Sequence, residues 1–135
     1  MKKTIIATLI SGVVLLLLSV AMTFSSIYIF PSLTEEYFSP VFRMSGNLDW
    51  MFYLHPFIVS IALKWFWEKY KTSFTGSLFI RAIDVALVYS IVALIPVLWL
   101  TFSAIEVSFS MIATWFFYGF IQSFVAGLIF AKMNP

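Results

Sequence analysis

Four long apolar runs, separated by short polar stretches, dominate the pattern of this chain. They cover residues 4–30, 50–67, 78–102 and 109–131. Each is long enough to cross the roughly 30 Å hydrocarbon core of a bilayer as a helix. A helix satisfies its own backbone in lipid, whereas an open sheet does not, and four strands cannot close a membrane barrel. The pattern predicts an all-α membrane protein with one integral domain over residues 1–135, folded as a four-transmembrane-helix antiparallel bundle. The longest connection, residues 31–49, mixes Glu35, Glu36, Arg43 and Asp49 with Tyr37, Phe38, Val41, Phe42 and Met44. Such a mixture suits a segment that lies on the membrane surface or folds over the bundle. Thr75, Gly76 and Ser77 supply a turn and a cap for the third helix. Residues 103–108 are short enough to join the last two helices as a hairpin.

The first run follows Met1-Lys2-Lys3, a start that secretory signals share. Its length exceeds the roughly 7–15 apolar residues of a signal peptide, and Val20-Ala21-Met22-Thr23 is a poor cleavage site. An uncleaved first helix is expected, long enough to tilt or protrude. Thr8, Gly12, Ser19 and Thr23 give it a small, polar stripe.

Composition agrees with the runs. Hydrophobic residues make up 62% of the chain and charged residues 10%, with a mean hydropathy of +1.02. A soluble domain carries about a quarter charged residues. Cysteine is absent, which excludes disulfides, thiolate metal sites and thiol redox chemistry. The distribution of charge then sets orientation. With four spans, both termini and the connection near residues 68–77 share one side. That side holds Lys2, Lys3, Lys64, Lys69, Lys71, Arg81 and Lys132, and Arg43 alone lies opposite. The positive-inside rule places both termini in the cytoplasm, with residues 31–49 extracytoplasmic. Lys64 is expected to snorkel toward the basic interface. Trp50, Trp65, Trp67 and Trp99 fall near predicted boundaries, as an aromatic belt does.

A few residues interrupt the apolar runs. Asp84 sits about two turns into the third helix, with Arg81 three residues earlier on the same face. An intramembrane ion pair that offsets the cost of burying either charge is the expected arrangement; a proton- or cation-coupled role for Asp84 is the alternative. His55, the sole histidine, precedes Pro56, which frees the carbonyl of Phe52. Pro96 does the same to Val92 at a comparable depth. Two proline-bent helices at one level would open a candidate ligand cavity beside His55, Trp99, Trp115 and Tyr118. Gly119, Ser123 and Gly127 stack on one face of the fourth helix and let another helix approach closely. Gln122 lies beside them and can hydrogen-bond across that interface.

No phosphate-binding glycine loop, HExxH motif or nucleophile elbow occurs, so an enzyme is not expected. No metal or cofactor is expected, since one histidine cannot supply both axial ligands of a haem within the chain. The basic residues line a membrane interface, which explains them without nucleic acid. The span count resembles that of small multidrug transporters, but the first-helix carboxylate they need is missing. It also resembles that of four-helix membrane glutathione transferases, but their paired acids and arginines are missing. The sequence favours a structural or interaction bundle in the cytoplasmic membrane, forming a homo-oligomer or serving a larger complex. A small transporter or channel using Asp84, His55 and Gln122 is one alternative. Binding of a lipid or small hydrophobe in the kinked outer half is another.

Overall fold

The structure, a computed structural model, describes residues 2–42 and 50–134. Arg43, Met44 and Asp49, which the sequence places in the first connection, lie outside the described residues. The chain is all-helical among the described residues. Helix α1 (Lys2–Ile29) stops at Phe30, whose φ of −130° and ψ of 71° leave the helical region. The reason is Pro31, because a residue before proline is pushed away from helical backbone. Pro31 then opens α2 (Pro31–Tyr37), in a first turn where its missing N–H costs nothing. The apolar pattern gave no sign of this short helix.

Helix α3 (Trp50–Tyr70) carries Pro56 inside it. Gly76, at φ +99°, makes the turn before α4 (Leu78–Tyr89), and the Ser77 hydroxyl caps that helix by accepting from the Ile80 N–H at 3.4 Å. A π-helical turn (Ser90–Leu94) follows and leads into α5 (Ile95–Ala104), which holds Pro96 in its first turn. The Ile95 N–H donates to the carbonyl of Ser90, five residues back. This wider turn absorbs the misfit of a proline that cannot donate, so α4, the π turn and α5 form one rod. Helix α6 (Phe109–Met133) is capped by Ser108, whose hydroxyl accepts from the Met111 N–H at 3.1 Å. Among the described residues three helical stretches are long and apolar enough to cross a membrane: Lys2–Ile29, Leu78–Ala104 and Phe109–Met133. Helix α3 is less apolar, diluted by His55, Pro56, Lys64 and its tryptophans and tyrosines.

Packing is uneven around the molecule. Helix α1 packs on α3 and α6, and α4 packs on α6, while α3 and the α4–α5 rod make no comparable contact. Ser60 Oγ donates to the carbonyl of Thr8 at 2.8 Å, and Thr4 Oγ1 donates to Glu68 Oε1 at 3.1 Å, so α1 and α3 run in opposite senses. A small core of Ala7, Leu15, Val59, Leu63, Trp67, Val85, Ala126 and Phe130 holds the elements together. Many large apolar side chains point outward instead, among them Leu9, Leu17, Ile58, Ile91, Leu100 and Phe117.

The small-residue stripe of α6 faces the same chain. A Cβ on Gly127 would lie 2.9 Å from the Cα of Ala82, a backbone-to-backbone approach. A Cβ on Gly119 would meet the side chain of Leu94 at 2.6 Å. Ser123 between them is fully buried, and its hydroxyl donates back to the carbonyl of Gly119 at 2.9 Å.

Two sequence expectations are corrected at the end where the chain termini meet. Trp67 is not part of an outer belt: it is fully buried, stacked on Phe74, with its indole N–H donating to the carbonyl of Asn134 at 2.8 Å. Lys64 turns toward the basic end but does not reach the surface there. It is buried, with Nζ 2.9 Å from Glu68 Oε1 and 5.0 Å from the ring centre of Phe130. Glu68 gathers this end, accepting from Thr4 and Asn134 and lying 3.8 Å from Lys71. The start of α1 and the ends of α3 and α6 are thereby tied together.

Candidate cavity at the α2 end

At the opposite end the helices separate around a cavity of about 420 Å³. Helix α1 contributes Ser19, Met22 and Thr23, α2 contributes Tyr37, and α3 contributes Phe52 and His55. The rod contributes Tyr89, Ala93, Leu94, Val97, Leu98 and Thr101, and α6 contributes Trp115, Tyr118, Gly119 and Gln122. Among the described residues no Asp, Glu, Lys or Arg lines it. A second cavity of about 340 Å³ adjoins it beneath α2 and shares Thr23, Tyr37, Phe52 and Tyr118.

Short hydrogen bonds between elements frame the cavity. Gln122 Nε2 donates to Ser19 Oγ at 2.7 Å, joining α6 to α1. Tyr118 donates its hydroxyl to the carbonyl of Met22 at 2.9 Å. Trp115 Nε1 donates to the Tyr37 hydroxyl oxygen at 2.6 Å and fixes α2 over the cavity. Two further contacts hold α2 there. Glu36 Oε1 accepts from the Ser108 N–H at 2.6 Å, and Leu33 clusters with Val107 and Met111.

The walls keep unused polar capacity. Among the described residues, neither the His55 imidazole nor the Tyr89 hydroxyl has a hydrogen-bond partner, and Tyr37 accepts a bond without donating one. The Gln122 amide spends only its NH₂ end on Ser19. Burial raises the pKa of Tyr37, the bond from Trp115 works against that shift, and Glu36 adds to it. Tyr37 therefore keeps its proton at neutral pH and can donate. The chemistry of the cavity is that of an apolar box with a few uncharged donors and acceptors, a composition that orients a small ligand.

Three of the four residues expected at a cavity meet here: His55, Trp115 and Tyr118, joined by Gln122 and Gly119 of the packing stripe. Trp99 does not. It is 75% exposed and lines an outer groove with Phe102 and Phe109. Pro56 is buried and Pro96 is exposed; neither lines the cavity. Asp84 also lies outside its lining.

The expected ion pair is corrected as well. Among the described residues no salt bridge joins Arg81 to Asp84. The Arg81 guanidinium instead lies over the Trp67 indole, 4.8 Å from a ring centre. An aromatic face holds a guanidinium without requiring a buried carboxylate. An acid three residues after a base is also the weaker order for a helical pair.

Tyr37 and Tyr89 were not singled out for a cavity in the sequence. Tyr37 is brought in by α2, which no periodicity announces, and Tyr89 stands at the end of α4, just before the π turn. Neither a known protein family, nor a curated protein, nor a solved structure matches this chain.

Proposed function

We propose that this chain is a four-transmembrane-helix antiparallel bundle of the cytoplasmic membrane, with both termini cytoplasmic, that binds a small uncharged molecule in its outer half. Three helices with the length and hydropathy of membrane spans support the setting. So does an exterior carrying residues such as Leu17, Ile91 and Leu100, since soluble monomers rarely expose large contiguous apolar surface. The basic residues at the terminal end support the orientation. In this bundle α3 is the fourth span, sheltered by α1 on one side.

The observation that carries the binding role is the cavity of about 420 Å³, with apolar walls and uncharged hydrogen-bonding groups at His55, Tyr89 and Gln122, the last with its amide oxygen still free of a protein partner among the described residues. The small-residue stripe, which favoured an oligomer, is used up against α4 and the π turn of the same chain. A transport path through Asp84 lacks support, because Asp84 does not share the cavity with His55 and Gln122.

Thermal unfolding in lipid nanodiscs tests the reading, with decanol and monodecanoylglycerol as uncharged probes. A saturable rise in midpoint is expected, corresponding to roughly 2.7 kcal/mol at about 100 times Kd. Ala93→Trp fills the cavity wall and should abolish the rise. An unchanged midpoint in the wild type, or an equal rise in Ala93→Trp, contradicts a ligand site here.

A further inference from the structure

The cavity is not closed on all sides. Its wall toward the α3/rod seam is made by Tyr89 and Ala93, and the same two residues also line a groove of about 500 Å³ on the outside of the molecule. That groove runs between Ile61 and Trp65 of α3 and Val88 and Val92 of the rod. It follows the seam where α3 and the rod fail to pack together. The seam between α5 and α6 also carries an outer groove, of about 470 Å³, but that groove shares only Leu98 with the cavity, whereas the α3/rod groove shares two residues with it.

We infer that the ligand is a neutral single-chain amphiphile, entering sideways from the bilayer, with its head in the cavity and its tail along the α3/rod seam. This rests on the reading of the cavity as a ligand site. Three observations fix the class. Among the described residues the cavity offers hydrogen-bonding groups at His55, Tyr89 and Gln122 but no charge, so an ionised head would be buried without a counter-charge from them. The groove on the other side of Tyr89 and Ala93 is lined by apolar side chains apart from the shared Tyr89, as a hydrocarbon tail requires. The direction also fits. From His55 to Trp65 the seam extends about 15 Å along α3 at 1.5 Å per residue. In the proposed orientation it starts about 7.5 Å inside the outer end of α3 and runs past the middle of that helix into its inner half. A lipid of the outer leaflet has its head and tail in that same order and needs no inversion to bind.

Photocrosslinking in phosphatidylcholine nanodiscs separates the possibilities. The probes are dodecanol and dodecyl phosphate, each with a diazirine near the end of the chain. Dodecanol should label peptides containing residues 61–66 and 88–93, and excess unlabelled dodecanol should remove that label. Dodecyl phosphate should label the same peptides about ten-fold less, reflecting the cost of an unpaired charge in the cavity. Ala93→Trp, which separates cavity from seam, should leave only label that does not compete; its unfolding midpoint without probe shows that it is folded. Competed label on the α5/α6 groove instead of the seam overturns the tail path. Equal labelling by the phosphate overturns the neutral head. Either result leaves the ligand site standing if uncharged probes still raise the unfolding midpoint. If they do not, the cavity reading itself fails and this inference falls with it.

Discussion

Arg81 rests on an indole ring and not on a carboxylate, and that changes what its removal should do. A double-mutant cycle of Arg81→Ala with Trp67→Leu should show coupling of about 0.5–2 kcal/mol, the range for a shielded cation over an aromatic face. A cycle of Arg81→Ala with Asp84→Ala should be additive within about 0.5 kcal/mol. Unfolding in lipid measures both, and strong coupling in the second cycle would restore the ion pair. At this scale the sequence was informative where chemistry is local. His55, Trp115, Tyr118 and Gln122 stood out as polar or amphipathic groups in apolar runs, and the cavity contains all four. Trp99 was misplaced for a geometric reason. A π turn adds a residue to the helix, which rotates everything after it by about 100° at 3.6 residues per turn. Trp99 lies beyond that turn and faces outward. The Glu68 cluster was not legible, because it joins residues 64 and 66 positions apart in the chain.

The elements differ in how much change they can absorb. Gly127 meets the backbone of Ala82, which cannot step aside, whereas Gly119 meets the flexible end of Leu94. Gly127→Ala should therefore lower stability more than Gly119→Ala, and Gly127→Leu should cost on the order of 1–3 kcal/mol through overpacking. Equal midpoints for the two alanine variants would contradict the backbone contact. Helix α2 depends on a few polar anchors. Trp115→Phe keeps the ring but removes the bond to Tyr37, at a cost of about 1 kcal/mol. Hydrogen exchange over residues 31–37 should quicken, with little change in α6. Protection unchanged over those residues would mean that Glu36 and Leu33 hold α2 without Tyr37. The long helices were legible as apolar runs and the cap at Ser77 as a boundary residue, whereas the cap at Ser108 was read only as the end of a short connection. Helix α2 was not, since its seven residues have no room to establish a period.

At the scale of the whole molecule, the segregation of charge and the unevenness of packing work together. The terminal end is tied by Glu68, Lys64, Lys71 and Asn134, while the α2 end stays open around uncharged groups. The proposed orientation puts the tied end in the cytoplasm and the cavity in the outer leaflet. Cysteines introduced at Ser39 and Ser73 test it in intact cells. An impermeant thiol reagent should label position 39 and spare position 73, and the reverse would invert the bundle. Composition and hydropathy made the spans readable, but no periodicity could show that α3 and the rod stay apart. That gap comes from which helices pack on α6, a property of the assembled chain.

Native mass spectrometry of the protein released directly from its own membranes tests the binding site most directly. The wild type should carry one retained neutral molecule of lipid size, absent from Ala93→Trp released in the same way. A bare chain in both, or the same retained molecule in both, would contradict a ligand site between α3 and the α4–α5 rod.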